Sequence, residues 1–95
     1  MRKSIIQEDR QCYITGTTYG LDYHHCLHGP NRKKADKLGL TVWLRHDIHM
    51  ALHTKQKPFE RLDEHLKKVA QRAYESKLGT REDFMRDFGR NYLCK

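Results

Sequence analysis

The sequence has few cysteines and no long hydrophobic run. Its three cysteines, Cys12, Cys26 and Cys94, are odd in number and form no Cys-x-x-Cys pair. This argues against a disulfide framework and a four-cysteine zinc site, and it predicts a reducing compartment. No apolar stretch approaches a membrane span, and none follows the basic residues of "MRKSIIQEDR", so no signal peptide is expected. We therefore expect a cytoplasmic protein.

Acidic residues are also scarce relative to basic ones. Lys and Arg number 19 against 12 Asp and Glu, which gives a formal net charge of +7 and a pI near 9.5. Such an excess favours a polyanionic partner, most simply nucleic acid, although a merely soluble basic protein has the same composition. With 95 residues, the chain has room for one small domain with a thin core.

The first half of the sequence predicts three short strands separated by turns and a basic loop. Gly16 and Gly20 break a β-branched and aromatic stretch, and "HGPNRKKADKLG" contains several breakers, with at most one helical turn around Lys34–Leu38. The predicted strands lie near Cys12–Thr15, Leu21–Cys26 and residues 40–44.

The second half has helical periodicity. Apolar residues at helical spacing predict a short helix over residues 45–53 and a longer one over Phe59–Leu78. Thr80 with Asp83 resembles a capping box that opens a last helix, Arg81–Phe88. The prediction is an α+β fold, with residues 1–10 as a polar lead-in and residues 11–95 as a single domain.

Histidines are the most informative residues of the chain. His49 and His53 fall on one face of the short helix, close enough to bind one metal ion together, with His46 as a weaker candidate. His24, on a strand expected to pair with residues 40–44, is placed to supply a third ligand. Three protein ligands leave a coordination position open, as a catalytic site requires. His28 and His65 are interpreted as surface residues.

Next to His24, His25 would be free for proton transfer near neutral pH. Adjacent residues on a strand point to opposite faces, so the strand must twist or end there for both to serve one site. Asp22 could orient a histidine as a hydrogen-bond acceptor, and a solvated strand acid is the alternative interpretation.

An adjacent His-His pair followed by His-x-x-x-His resembles the HNH, or ββα-metal, nucleases with the spacing of colicin-type domains. The wider frame, "CYITG … HHCLHGPNRKK … GLTVWL … H … H" and then "REDFMRDFGRNYL", is similar to small HNH-type proteins of bacteriophages and prophages. The resemblance implies a ββα-metal core over about residues 21–55, an N-terminal β-hairpin and a helical part over 59–95. It implies a phage- or prophage-encoded protein in the cytoplasm of a bacterial host that hydrolyses DNA phosphodiester bonds, with His25 as the general base. His24, His49 and His53 would bind one divalent ion, for which Mg, Mn, Ni and Zn all remain open.

The sequence departs from the family pattern at two points. The position of the motif's Asn, which often orients the general base, falls at about Leu40, and Thr41 or a backbone carbonyl would have to substitute. The residues corresponding to the zinc-binding Cys-x-x-Cys pairs of many relatives are Cys12, Thr15, Arg45 and Ile48, so no structural zinc is expected.

A basic segment lies between the predicted strands Leu21–Cys26 and 40–44, and it is predicted to hold DNA phosphate beside the metal. Its residues are Asn31, Arg32, Lys33 and Lys34. Arg32 is the best candidate, because its planar guanidinium grips two oxygens at once.

Two other functions stay open. One is a catalytically weak or inactive nucleic-acid-binding module that keeps the fold, and the other is a protein that binds an acidic protein surface in phage assembly or host takeover.

A single site cuts one strand, so a double-strand break would need a dimer or two visits.

Overall fold

The computed structural model describes residues 4–93, which form two β-strands and four α-helices. In chain order these are β1 (Leu21–His25), α1 (Arg32–Leu38), β2 (Thr41–Arg45), α2 (His46–Thr54), α3 (Leu62–Lys77) and α4 (Arg81–Phe88). The protein is thus a small α+β domain, as predicted. None of the helices in this part of the chain is both long and apolar enough to cross a membrane.

The two strands form an antiparallel pair, in which His24 lies opposite Val42 and His25 lies opposite Thr41. Because side chains alternate along a strand, His24 and His25 leave β1 on opposite faces. His25 is the last residue of β1, so the chain turns away immediately after it. The condition for both histidines to serve one site, that the strand ends there, is therefore met.

The strand predicted at Cys12–Thr15 is wrong, and so is the N-terminal hairpin that it would have formed. Residues 13–15 form a turn, which is closed by the Gly16 amide donating to the Cys12 carbonyl at 2.8 Å. One strand-like bond remains, from the Tyr13 amide to the Trp43 carbonyl at 2.8 Å. The turn-forming Thr and Gly residues override the β-propensity of the aromatic and branched residues around them.

The N-terminal segment lies along β2. Ser4 donates its hydroxyl to the Thr41 carbonyl at 2.5 Å, and Gln7 Oε1 accepts from the Trp43 amide at 2.7 Å. Ile5 and Ile6 pack against the core. Part of the lead-in therefore covers the edge of β2, while residues 1–3 lie outside the described part.

The segment predicted as a basic loop is mostly helical. Gly29–Asn31 forms a short 3-10 helix that leads directly into α1, and α1 ends where Gly39 adopts the left-handed conformation with φ 77°. The residues taken as loop breakers are therefore the start and stop signals of a short helix. Ala35 is its one buried residue, which explains why the apolar periodicity was too weak to predict more than one turn of it.

The three C-terminal helices follow the prediction closely. Helix α2 begins at His46, and α3 begins at Leu62 rather than Phe59, because residues 56–59 form a turn. The capping box of Thr80 and Asp83 is confirmed at the start of α4. The strands and helices share one buried cluster, which includes Leu44, Ile48, Leu66, Ala70, Phe84 and Phe88.

Two of the cysteines belong to this core. Cys12 and Cys26 are free thiols that are almost completely buried, as expected for Cys26. Cys12 Sγ accepts a hydrogen bond from the Arg45 amide at 3.3 Å. Cys94 lies outside the described residues.

Candidate metal and catalytic site

A pocket of about 350 Å³ opens where the end of β1, the start of α1 and one face of α2 meet. Its lining contains most of the histidines of the chain. The lining residues are Tyr23, His24, His25, His28, Gly29, Arg32, His49 and His53. The structure therefore brings together the four histidines that the sequence selected and adds His28 to them.

His24 forms the floor of the pocket. It is only 2% exposed, and among the described residues its Nε2 is the one buried side-chain nitrogen or oxygen without a hydrogen-bond partner. Leaving such an atom unpaired costs roughly 1–3 kcal/mol. Burial, reinforced by the neighbouring histidines, lowers the pKa of His24 to about 3. The ring is thus neutral near pH 7 and its lone pair is available to a ligand.

His49 and His53 face this floor from α2. Their Nε2 atoms are 3.1 Å apart, and both rings offer nitrogens that lie within 4.8 Å of each other and of a His24 nitrogen. Two nitrogens bound to one tetrahedral zinc are separated by roughly 3.3 Å, given Zn–N bonds of about 2.0–2.1 Å. Burial lowers the pKa of His53, which also favours its neutral, ligating form. The three predicted metal ligands therefore lie near enough to one another that they could hold one metal ion.

Asp22 fixes the orientation of His49. Its Oδ2 accepts from His49 Nδ1 at 2.9 Å and from His46 Nδ1 at 2.7 Å. Burial alone would raise the pKa of Asp22, but the hydrogen bonds from the two histidines outweigh it and lower the pKa. With Nδ1 of His49 holding the proton, its Nε2 presents the lone pair to the pocket, as carboxylate partners of metal-binding histidines commonly arrange. His46 contacts Asp22, and it is not among the residues grouped closely enough to share an ion.

His25 stands on the opposite wall, and Asp36 of α1 orients it. His25 Nε2 donates to Asp36 Oδ1 at 3.0 Å, while Nδ1 accepts a longer contact of 3.4 Å from Arg32 Nε. A proton on Nε2 leaves the lone pair on Nδ1, which is the form that a general base needs.

Thr41, one of the two substitutes suggested for the motif's Asn, has a different hydrogen-bond partner. The Thr41 hydroxyl donates to the Tyr23 hydroxyl at 3.0 Å and does not orient His25, and Leu40 is a buried core residue. The acceptor that contacts His25 is Asp36. The sequence contains no signal for this role, because the pattern predicted at most one helical turn around Asp36 and does not specify how that turn packs against His25.

The interpretation of His28 as a simple surface residue is also wrong. Its Nε2 donates to Asp63 Oδ1 on α3 at 2.6 Å, and its ring lies 5.4 Å from the His24 ring between centroids. The hydrogen bond from His28, together with one from Lys67, lowers the pKa of Asp63. His24, His28 and Asp63 form a second group whose ligand atoms lie within 4.8 Å of one another. The density of histidines around His24 hinted at His28, but only tertiary packing brings Asp63 there.

The predicted DNA-contacting residues divide into two pairs. Arg32 lines the histidine pocket, and Lys33 lines an adjoining depression with His25, Arg32 and Asp36. Asn31 and Lys34 instead donate to carbonyls at the end of α4, those of Phe88 at 3.3 Å and Asp87 at 2.5 Å. Only Arg32 and Lys33 are therefore placed beside the pocket, while the other two tie α1 to α4.

Comparison with protein-family models, with curated proteins and with solved structures found no match to this chain. The functional interpretation therefore depends on the geometry of the chain's own residues.

Proposed function

We propose that this protein is a metal-dependent endonuclease of the HNH, ββα-metal type that hydrolyses phosphodiester bonds in DNA. The observation that carries the proposal is the buried His24 ring, whose Nε2 has no hydrogen-bond partner and which offers a nitrogen within 4.8 Å of ligand nitrogens of His49 and His53. The order β1, β2, α2, with α1 in the connection, is compatible with a ββα-metal core.

A divalent ion fits the donor set. Three neutral imidazoles suit Zn²⁺ and Ni²⁺, and three protein ligands leave a position open for a phosphate oxygen. When bound, such an ion supplies positive charge that stabilises the phosphate and the leaving oxygen. His24, His49 and His53 would hold it, with Asp22 fixing the ring of His49.

His25 would act as the general base. Its Nδ1 takes a proton from a water molecule, and the water oxygen forms a bond to phosphorus while the bond from phosphorus to the 3′ oxygen breaks. Asp36 keeps the proton on Nε2 and stabilises the imidazolium that forms, because the carboxylate accepts from that nitrogen at 3.0 Å. The 3′ oxygen receives its proton from solvent.

Charge supports DNA as the substrate. The chain carries +7 overall, and Arg32 and Lys33 lie beside His25, where the scissile phosphate would bind. Arg32 offers a guanidinium that can leave its weak contact with His25 Nδ1 and grip phosphate oxygens, which also frees that nitrogen for water.

Plasmid cleavage tests the proposal. Supercoiled DNA is incubated with the protein and Mg²⁺, Mn²⁺, Ni²⁺ or Zn²⁺, and we expect nicking that a chelator blocks. His25→Ala should abolish nicking and keep metal binding, whereas the control His65→Ala, on an exposed residue of α3, should leave nicking unchanged. Full cutting by His25→Ala would remove His25 as the base.

A second candidate is a nucleic-acid-binding module whose metal has no catalytic role. The second group around His24 favours it, because His28 and Asp63 offer ligand atoms within 4.8 Å of a His24 nitrogen and of each other, and an ion held there would not be bound by His49 and His53. Salt-sensitive DNA binding without cutting under any of the four metals would favour this module. Absence of DNA binding at low salt would leave an acidic protein surface as the partner.

A further inference from the structure

A second concave surface lies beside the histidine pocket and is strongly basic. It has a volume of about 540 Å³ and is lined by five cationic and two acidic side chains, together with Asn91 and Tyr92. The charged lining residues are Lys55, Arg61, Lys67, Lys68, Arg90, Asp63 and Glu64. We call this surface the α3 basic pocket.

Hydrogen bonds hold the walls of the α3 basic pocket in place. The Tyr92 amide donates to Oε1 of the buried Gln71 at 2.7 Å, and Gln71 Nε2 donates to Asn91 Oδ1 at 2.8 Å. Asn91 and Tyr92 are thereby fixed against α3. Lys67 and Arg90 both lie near the Tyr92 ring, at 5.8 and 5.4 Å from its centroid.

Asp63 joins the α3 basic pocket to the histidine pocket. Its Oδ1 accepts a hydrogen bond from His28, which lines the histidine pocket. Its Oδ2 lies 3.0 Å from the Nζ of Lys67, and Lys67 lines the α3 basic pocket. The two sites are therefore connected through the Asp63 carboxylate. Because Asp63 is already paired with His28 and Lys67, it neutralises little of the charge on Lys55, Arg61, Lys68 and Arg90.

We propose that the α3 basic pocket binds a backbone phosphate of the same DNA strand whose scissile phosphate occupies the histidine pocket. Clustered cations in a concavity recognise phosphate without reading sequence. An isolated basic patch could attract any anion, but continuity with the histidine pocket favours a polyanion that extends from one site into the other. This inference rests on the proposed function, since it assigns the path of the substrate.

Lys68→Ala tests the proposal, with Arg72→Ala as the matched control. Both residues are exposed cations on α3, but only Lys68 lines the pocket. Affinity for a short labelled DNA duplex is measured in chelator, so that neither metal binding nor cleavage contributes. One lost phosphate contact changes the slope of log K on log salt by about 0.9, which corresponds to about eight-fold weaker binding at about 0.1 M salt.

We expect this loss for Lys68→Ala and for Arg90→Ala, and no more than about two-fold for Arg72→Ala, because screening weakens distant charges at that salt concentration. Equal losses for Lys68→Ala and Arg72→Ala would overturn the proposal, since net charge alone would then explain them. A variant that loses inorganic phosphate binding in NMR titrations but keeps its DNA affinity would overturn it as well.

Failure of this inference is distinguishable from failure of the proposed function. If wild-type protein cuts plasmid DNA while Lys68→Ala binds DNA normally, the strand path is wrong and the nuclease stands. If wild-type protein does not bind DNA at low salt, the proposed function fails first.

Discussion

Removing the Asp22 carboxylate should weaken metal binding without dismantling the fold. Asp22 accepts hydrogen bonds from Nδ1 of His49 and of His46, at 2.9 and 2.7 Å, and its side chain is 31% exposed. In Asp22→Ala the His49 ring loses the partner that fixes its tautomer and rotation. The three ligands themselves remain in the chain.

The magnitude follows from the role of such a carboxylate. Loss of the acceptor behind a ligating histidine typically lowers metal affinity by about 10- to 100-fold, or about 1.4–2.7 kcal/mol. The exposure of Asp22 places the expected value in the lower part of that range, because solvent partly replaces a lost acceptor. Asp47→Ala is the control. Asp47 lies in the first turn of α2, where its exposed carboxylate pairs with Arg45 at 2.5 Å.

The assay is a competitive titration of Zn²⁺ against a chromophoric chelator, repeated for wild type, Asp22→Ala and Asp47→Ala. Unfolding in urea, with and without zinc, gives an independent value, because a ligand that binds only the native state stabilises it according to its affinity. If Asp22→Ala and Asp47→Ala bind zinc equally tightly, the assignment of His49 as an Asp22-oriented ligand is refuted.

Three further predictions concern catalysis, pH and packing. Asp36→Ala should slow plasmid nicking by about 10- to 100-fold at unchanged zinc affinity, because Asp36 orients His25 and is not hydrogen-bonded to the three metal-binding histidines. An unchanged nicking rate would remove Asp36 from the mechanism. Hydrogen bonds from the backbone amide of Thr80 and from the guanidinium of Arg86 lower the pKa of Asp83 from its ordinary value of 3.8. The stabilisation by Asp83 is therefore complete above pH 3.8 and is lost as the pH falls below that value. Asp83→Ala should make the free energy of unfolding in urea fall less steeply on acidification. The same acid dependence in wild type and variant would contradict the capping role of Asp83. Phe84→Ala should lower the free energy of unfolding by about 3–5 kcal/mol, since the ring is completely buried. The control Met85→Ala, at an exposed residue, should lower it by about 0.5 kcal/mol or less. Similar urea midpoints for the two variants would contradict the burial of Phe84.

The helical half was readable from the sequence because its signals are local. The apolar stripe of α3 and the reciprocal Thr80–Asp83 cap depend on residues three or four positions apart, and both were confirmed. Helix α1 was predicted only as one turn around Lys34–Leu38, because its single buried residue, Ala35, leaves no periodic stripe to detect. The error at Cys12–Thr15 has the opposite cause, since β-propensity there gave way to turn chemistry.

The candidate site was predictable where spacing determines geometry. The His49–His53 pair follows from helical periodicity, and its meeting with His24 follows from the pairing of β1 with β2. Asp36 and Asp63 were not predictable, because each reaches its histidine through the packing of a helix whose position the sequence pattern does not specify.

The most direct test of the central claim is an anomalous difference map from a crystal of the protein soaked with Zn²⁺ and recorded at the zinc edge. We expect one peak bound by ring nitrogens of His24, His49 and His53 at about 2.0–2.1 Å, with one coordination position open toward His25. A peak bound elsewhere, or no peak while those three rings remain ordered, would contradict the metal site and with it the proposed nuclease.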